Sequence, residues 1–319
     1  MNIVIYLLIT VLLILAELFY FKLADKFNII DKPNQRSSHT RITLRGGGII
    51  FYLGALAAYI SGGLEYGWFF LGLSLISFIS FADDIRSVPN RIRIIVQFLS
   101  MLLMFYQLGL FTVFPLWYIL IALVLCTGII NAYNFMDGIN GITGGYSLAV
   151  LLPLIYMDLY KVNFINIHFL LITTISVLIF NFFNFRKKAK CFAGDVGSVS
   201  IAFIILFALG SLILQTGDLT YILFLSVYGV DSIFTILHRL MLHENIFEAH
   251  RKHMYQIMAN ELRIPHIAVS SVYMVLQLGI SCGLLLTGSN RWAYFSGVLI
   301  VLGGLYIRYM RKWYPLHKG

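Results

Sequence analysis

The sequence predicts an all-α polytopic membrane protein of about eleven transmembrane helices, with its N-terminus outside and its C-terminus in the cytoplasm. Three observations carry that prediction. Hydrophobic residues make up 60% of the 319, charged residues only 12%, and mean hydropathy is +0.86. A soluble chain of this length carries about twice that charge. The apolar residues form continuous runs, many near the roughly 20 residues that cross a bilayer core, not the short alternating segments of a membrane β-barrel. Finally, the 23 Lys and Arg divide unevenly once the runs are threaded back and forth: only Lys161 and Arg291 fall on one side. Basic loops stay in the cytoplasm.

The runs are expected at 3–21, 47–61, 67–82, 94–111, 116–131, 144–157, 165–183, 198–214, 219–237, 267–286 and 292–309. The first has no basic leader and no small-residue cleavage site, so it reads as a retained helix and not a signal peptide. The third, fifth and sixth are short. The odd number of spans puts the termini on opposite sides. Outer loops are a few residues long, whereas the inner ones, 22–46, 83–93, 132–143, 184–197 and 238–266, have room for a site. No repeat or appended soluble segment breaks the pattern, so 1–319 reads as one integral-membrane domain. The bilayer is the obvious partner, and the basic loops explain the net charge of +9 without nucleic acid. Cys126, Cys191 and Cys282 have no spacing for a disulfide scaffold or a zinc site and read as small buried hydrophobes.

The stretch Asn131 to Gly145 interrupts two apolar runs with three Asn, one Asp and four Gly. Polar side chains and bare backbone in that place suggest a pocket at a membrane face. Other acids gather at inner ends of spans. Asp83-Asp84 closes the third; adjacent side chains on a helix point about 100° apart, so one can hold a metal while the other takes a proton. A pair of solvated interfacial acids is the plain alternative. Asp195 stands between Gly194 and Gly197, ahead of a span, where close backbone and a helix N-terminus favour an anion. The alternative there is a helix cap, with Asp195 or Ser198 as N-cap. Arg36, His39, Arg41 and Arg45 lead into Gly46-Gly47-Gly48, Arg91 and Arg93 follow the Asp pair, and Lys187, Lys188 and Lys190 precede Asp195. Singly these are topology signals or headgroup anchors. Together with the acids they suit a metal and several phosphates, and Mg²⁺ fits because it takes few carboxylates and fills its shell with water and phosphate oxygens. His238, His243, His250, His253 and His266 lie in or beside the last large inner loop, with no companion Cys, which favours phosphate over zinc.

Together these motifs resemble one family, the polyprenyl-phosphate N-acetylhexosamine-1-phosphate transferases, which include MraY and WecA in bacteria. Asp31-Lys32-Pro33-Asn34-Gln35-Arg36-Ser37-Ser38-His39, then Arg45-Gly46-Gly47-Gly48, resembles the family's first cytoplasmic loop. Asp83-Asp84 matches its paired aspartates, Asn131-x-x-Asn134-x-x-Asp137-Gly138 its Asn-Asn-Asp-Gly signature, and Gly194-Asp195-x-Gly197-Ser198 its Gly-Asp-x-Gly-Ser signature. Asp231 and Arg239 fit its ninth-span Asp and following Arg. The resemblance implies transfer of an N-acetylhexosamine 1-phosphate from a UDP-sugar to undecaprenyl phosphate, with release of UMP and Mg²⁺ (or Mn²⁺) as cofactor. It implies Asp83, Asp84 and Asp137 as catalytic residues and Asp195 with Asp137 as metal ligands. Asn131, Asn134, Asn140, Phe192, Arg36, His39, Arg93, Arg251 and His253 become substrate-binding candidates, and a homodimer is one assembly open to it.

Two departures stand out. Asn140 replaces the second Asp of the usual Asp-Gly-x-Asp-Gly, and Tyr255 and Gln256 stand where the last two histidines of His-x-His-His are expected. The His-x-Tyr-Gln form, with Arg-Ser-Ser-His in the first loop, resembles the branch that starts O-antigen and capsule synthesis more than the peptidoglycan enzyme. The main alternative is an ion-coupled transporter with broken helices, but its polar residues belong at mid-membrane. A CDP-alcohol phosphotransferase needs Ala-Arg after Asp-Gly, and Asp137-Gly138 is followed by Ile-Asn-Gly-Ile. A non-catalytic scaffold does not explain five acids at one face.

Overall fold

The structure, a computed structural model, describes residues 2–33, 38, 41–245 and 250–318. Arg36 and His39 therefore lie outside the described residues. The chain is almost entirely helical. In order it forms α1 (Ile3–Lys26), β1 (Ile30–Asp31), β2 (Thr43–Leu44), α2 (Ile49–Ser61), α3 (Gly67–Ile85), α4 (Asn90–Gln107), the single turn α5 (Leu110–Val113), α6 (Leu116–Met136), α7 (Ile142–Tyr160), α8 (Ile167–Asn184) and α9 (Gly194–Thr216). A 3₁₀ stretch, Leu219–Leu225, runs into α10 (Ser226–Met241); then come α11 (Met254–Gln256), a π-turn at Ile257–Glu261, α12 (His266–Leu286), α13 (Arg291–Trp313) and a closing 3₁₀ turn, Tyr314–Lys318.

All eleven expected spans are helical. Among the described residues, nine helices are long and apolar enough to cross a membrane, with Leu219–Met241 taken as one. The other two differ for physical reasons. Helix α2 is apolar but has only 13 residues, and α4 begins at Asn90, so that Arg91 and Arg93 lie within it. This is an all-α multi-pass membrane protein.

Helix α9 forms the axis. Nearly every residue from Gly194 to Leu209 is buried, the mark of a helix enclosed by other helices on all sides. It packs against α2, α3, α6 and α7, while α12 lies along α7 and α8 along α2. Helices α1, α6 and α13 expose most of their apolar surface, as lipid-facing helices do.

Three boundaries bear on the site. Helix α3 runs to Ile85, so Asp83 and Asp84 occupy its last turn. Helix α9 begins at Gly194, which puts Asp195 in its first turn and not in a preceding loop. The segment after α1 forms a two-stranded antiparallel ribbon, with Ile30 opposite Leu44 and Asp31 opposite Thr43, and Leu44 also bridges to Cys191. The ribbon delivers Gly46–Gly48 against the start of α9. The N–H groups of Gly47 and Gly48 donate to the carbonyls of Phe192 and Ala193 at 2.9 and 3.0 Å. A Cβ on Gly48 would stand 2.3 Å from the Gly197 Cα, so only glycine lets these two helix starts meet.

Candidate active site

The site grows from the N-terminus of α9. Neither Asp195 nor Ser198 caps this helix. The Ser198 hydroxyl donates to the Gly194 carbonyl at 3.0 Å and to Asn134 Oδ1 at 2.8 Å. The cap comes from α3: Asp84 Oδ1 accepts from the Asp195 N–H and Oδ2 from the Val196 N–H, both at 2.9 Å. Arg45 Nε reaches the same Oδ1 at 2.6 Å, and the Asp84 side chain has no exposed surface. Two helix N–H groups and a guanidinium thus surround this buried carboxyl and offset the cost of burying it. Gly194 makes room for it, with φ +71 and a hypothetical Cβ 2.6 Å from Asp84 Oδ2. Asp84 is therefore fully engaged in holding α9 to α3.

Asp83, one residue earlier, faces elsewhere. Its Oδ1 accepts from the Val88 N–H at 2.6 Å, and its Oδ2 takes Arg93 Nη1 at 2.8 Å. The same guanidinium bridges to Asp195. Asp195 in turn lies 3.3 Å from Arg45 Nη2 and 3.6 Å from Arg93 Nη2. Carboxylates gathered at two guanidiniums suit a divalent cation, which needs only one or two carboxylates and completes its shell with water and phosphate. Among the described residues no three His, Cys, Asp or Glu converge as a ready cage.

The end of α6 supplies the next wall. Asn134 is held by Ser198. Asp137, just past Met136, accepts from the Thr143 hydroxyl at 2.6 Å. Burial pushes its carboxyl up to about 6, the nearby Asp84 charge adding to the effect, and the Gly194 N–H also faces it. Asn131 turns back on its own helix and donates to the Thr127 carbonyl at 2.8 Å. Asn140 is buried and committed: its amide donates to the carbonyls of Arg186 and Lys187 at 2.9 and 3.4 Å, and its own carbonyl accepts from Ser270 at 2.7 Å. It ties the loop after α6 to the loop after α8 and to α12. Phe192 is fixed through its backbone between Leu44 and Gly47 and stays half-buried beside Asp195.

A second buried carboxylate repeats the capping device. Asp231 on α10 accepts from the Met254 and Tyr255 N–H groups at 2.9 and 3.4 Å and from the Tyr273 hydroxyl at 2.6 Å. His253 Nδ1 lies 3.4 Å from the same group, so His253 is buried against Asp231. Burial and the adjacent cations lower His250 to about 3, so it stays neutral at physiological pH. The histidines expected together are scattered: His238 packs on Tyr314, and His266 accepts from the Asn140 N–H. Arg251 pairs with Glu261 at 3.5 Å. The Tyr255 hydroxyl donates to the Phe135 carbonyl at 2.9 Å, which attaches this second centre to the end of α6 that carries Asn134 and Asp137.

The structure thus brings Asp83, Asp84, Asp195 and Arg93 together, with Asn134 and Asp137 alongside, and leaves Asn131 and Asn140 bonded to backbone. Arg45 was marked only as a loop cation but is the central one. Its signal was its place immediately before three glycines.

Residues 66–213 match the glycosyl transferase family 4. A probable undecaprenyl-phosphate N-acetylglucosaminyl 1-phosphate transferase of Bacillus subtilis is 25% identical over 302 residues, covering 88% of this chain and 84% of the relative. An undecaprenyl-phosphate alpha-N-acetylglucosaminyl 1-phosphate transferase of Thermotoga maritima is 25% identical over 272 residues, 81% of this chain and 83% of its own. A phospho-N-acetylmuramoyl-pentapeptide-transferase of Thermotoga petrophila is 32% identical, but over 49% of this chain and 56% of the relative.

Two predictions follow from the geometry. Asp84→Asn keeps an acceptor for one N–H, turns amide hydrogens toward the other and removes the charge that faces Arg45 Nε, so it should cost about 3–5 kcal/mol, the usual result of breaking a buried charge pair. Asp83→Asn loses one ion pair, with the partly exposed Arg93, and keeps an oxygen for the Val88 N–H, so it should cost less stability than Asp84→Asn while losing activity. Thermal unfolding in detergent separates the two, and equal melting points would refute the distinction. Asn140→Asp sets a carboxylate against two carbonyl oxygens and should lose roughly 1–3 kcal/mol, as an unsatisfied buried polar group does. Unfolding curves and donor panels should show lower stability with unchanged sugar preference.

Proposed function

As a relative of the polyprenyl-phosphate N-acetylhexosamine-1-phosphate transferases, this chain, we propose, transfers an N-acetylhexosamine 1-phosphate from a UDP-sugar to undecaprenyl phosphate. The observation that carries the reading is the Asp83–Asp195 pair flanked by Arg45 and Arg93 at the start of α9. Carboxylates beside two guanidiniums suit a metal-bound diphosphate. The site lies in the cytoplasm at the inner membrane, on the side of the basic loops, where UDP-sugars are available. The donor is a plain or 6-deoxy N-acetylhexosamine, not a muramyl peptide. The relatives matched over more than four-fifths of both chains carry N-acetylglucosaminyl names, which supports that choice, and the product would start a cell-surface glycan.

In this reading an oxygen of the lipid phosphate attacks the β-phosphorus of the donor. The bond from that phosphorus to the bridging oxygen breaks, and UMP leaves with the electron pair. Asp195 and Asp137 would hold Mg²⁺, which when bound would neutralise diphosphate charge. Arg45 and Arg93 orient phosphate oxygens and balance the charge that moves onto UMP. Asp83 holds Arg93 in place and takes any proton that the attacking phosphate still carries; that group is largely ionised at neutral pH, so orientation is its larger part. Most of the acceleration in such transfers comes from positioning and electrostatics. The polar groups gather at helix ends, which suits a lipid headgroup reaction better than a mid-membrane transport site.

Purified protein with undecaprenyl phosphate, Mg²⁺ and UDP-N-acetylhexosamines should release UMP, and Asp195→Asn should remove that activity. If no donor yields metal-dependent UMP, the reading fails. A proton competes with the metal for Asp137 below about 6. Taking that value, the Mg²⁺ concentration for half-maximal rate should rise about fourfold from pH 7.5 to 5.5, because a ligand must lose its proton to bind. Asp137→Asn should flatten this dependence.

A further inference from the structure

Glu244 lies three residues beyond α10, where three parts of the chain meet. Its carboxylate takes Arg239 Nε from α10 at 3.1 Å, Lys252 Nζ from just before α11 at 2.5 Å, and the Tyr314 hydroxyl from the closing 3₁₀ turn at 3.2 Å. Arg239 is almost fully buried there and also donates to the Asn245 carbonyl. The His238 ring packs on the Tyr314 ring at 4.1 Å between centres, and Lys252 Nζ stands 5.6 Å from the centre of that ring. One carboxylate therefore fixes a Lys eight residues ahead, an Arg five residues back and a Tyr seventy residues away.

The residues on either side of Lys252 are Arg251 and His253, both substrate-binding candidates. His253 is set against Asp231, and Arg251 pairs with Glu261; Glu244 holds Lys252, the residue between them. Single ion pairs near a surface do little for stability. Their effect here is different, because three side chains that meet at one acceptor lose their freedom before any ligand arrives. A site prepared in that way binds without paying the ordering cost at the moment of binding.

From this geometry we infer that Glu244 is a positioning residue for the donor: with Tyr314 it clasps the segment after α10 so that Arg251 and His253 meet the donor phosphates already in place. The inference rests on the transferase reading above and adds to it a role for the C-terminal turn.

The test uses the full-length chain in detergent, as wild type, Glu244→Gln and Tyr314→Phe, each first shown to elute as a single symmetric peak. UDP-N-acetylglucosamine is the donor and undecaprenyl phosphate the acceptor, and trypsin cleavage after Arg251 and Lys252 is followed in parallel. Glu244→Gln should raise the donor KM about tenfold with kcat within about twofold, the pattern of lost binding as opposed to lost chemistry. Cleavage should become at least about fivefold faster, since local opening exposes the bond to the protease. Tyr314→Phe should move both in the same direction by less. Wild-type cleavage rates in both variants would overturn the clasp, and faster cleavage with an unmoved donor KM would overturn its role in binding. A fall in kcat with KM unchanged would also overturn it. Absence of UMP release from the wild-type chain would instead remove the transferase reading and the donor role with it, while the cleavage rates still report whether the clasp exists.

Discussion

The contact between Asp84 and the first turn of α9 governs the rest of the site. A helix start inside a membrane protein leaves N–H groups that need partners, and water is not there to supply them. Asp84 meets two of these groups from a different helix and meets Arg45 with the same oxygens. That one carboxylate joins α3, the turn before α2, and α9. It sets Asp195 in the first turn, where an acid is also favoured by the positive end of the helix. It leaves the neighbouring Asp83, rotated about a quarter of a turn away, to meet Asp195.

Asp231 performs the same task at the other end of the site. It takes the N–H groups of Met254 and Tyr255 at the start of α11, and His253 and Tyr273 close around it. Buried charges are costly in an apolar core, and in both places the cost is offset by helix N–H groups plus one cationic or hydroxyl partner. Each carboxylate fixes a short polar segment to a long helix that is itself immobilised by packing. Reactive side chains can then sit at membrane depth without loose loops around them.

The helices and the inventory of acids were legible in the sequence because they depend on local patterns. Long apolar runs mark the spans, and Asp83-Asp84, Asn134, Asp137 and Asp195 stand at their ends, whereas Asp231 lies midway along Leu219–Met241. The division of labour within the Asp pair was not legible, since adjacent residues of one type differ only in the direction that the helix gives them. Asn140 shows a second limit. It was marked for substrate because it replaces an acid of the family, but its amide serves the carbonyls of Arg186 and Lys187, and backbone acceptors leave no trace in the sequence. The ribbon of Ile30–Asp31 with Thr43–Leu44 was missed for a simpler reason: strands of two residues show no alternation. The start of α9 was placed four residues late because Gly194 and Gly197 read as loop, whereas they are the price of close helix contact.

The segment from Asn131 to Gly145 is best understood as the strut between the two capped centres. At one end Asn134 receives the Ser198 hydroxyl, and Asp137 faces Gly194. At the other the Phe135 carbonyl receives Tyr255, whose ring sits so close to Gly138 that a Cβ there would be 2.2 Å from the hydroxyl. Asn140 then anchors the same segment to the loop after α8 and to α12. Its glycines and amides are therefore mostly means of attachment, and Asp137 is the member of the stretch with a carboxylate turned toward the start of α9. A polar segment that looked like the pocket itself is better described as the part that keeps the pocket's two sides at a fixed separation.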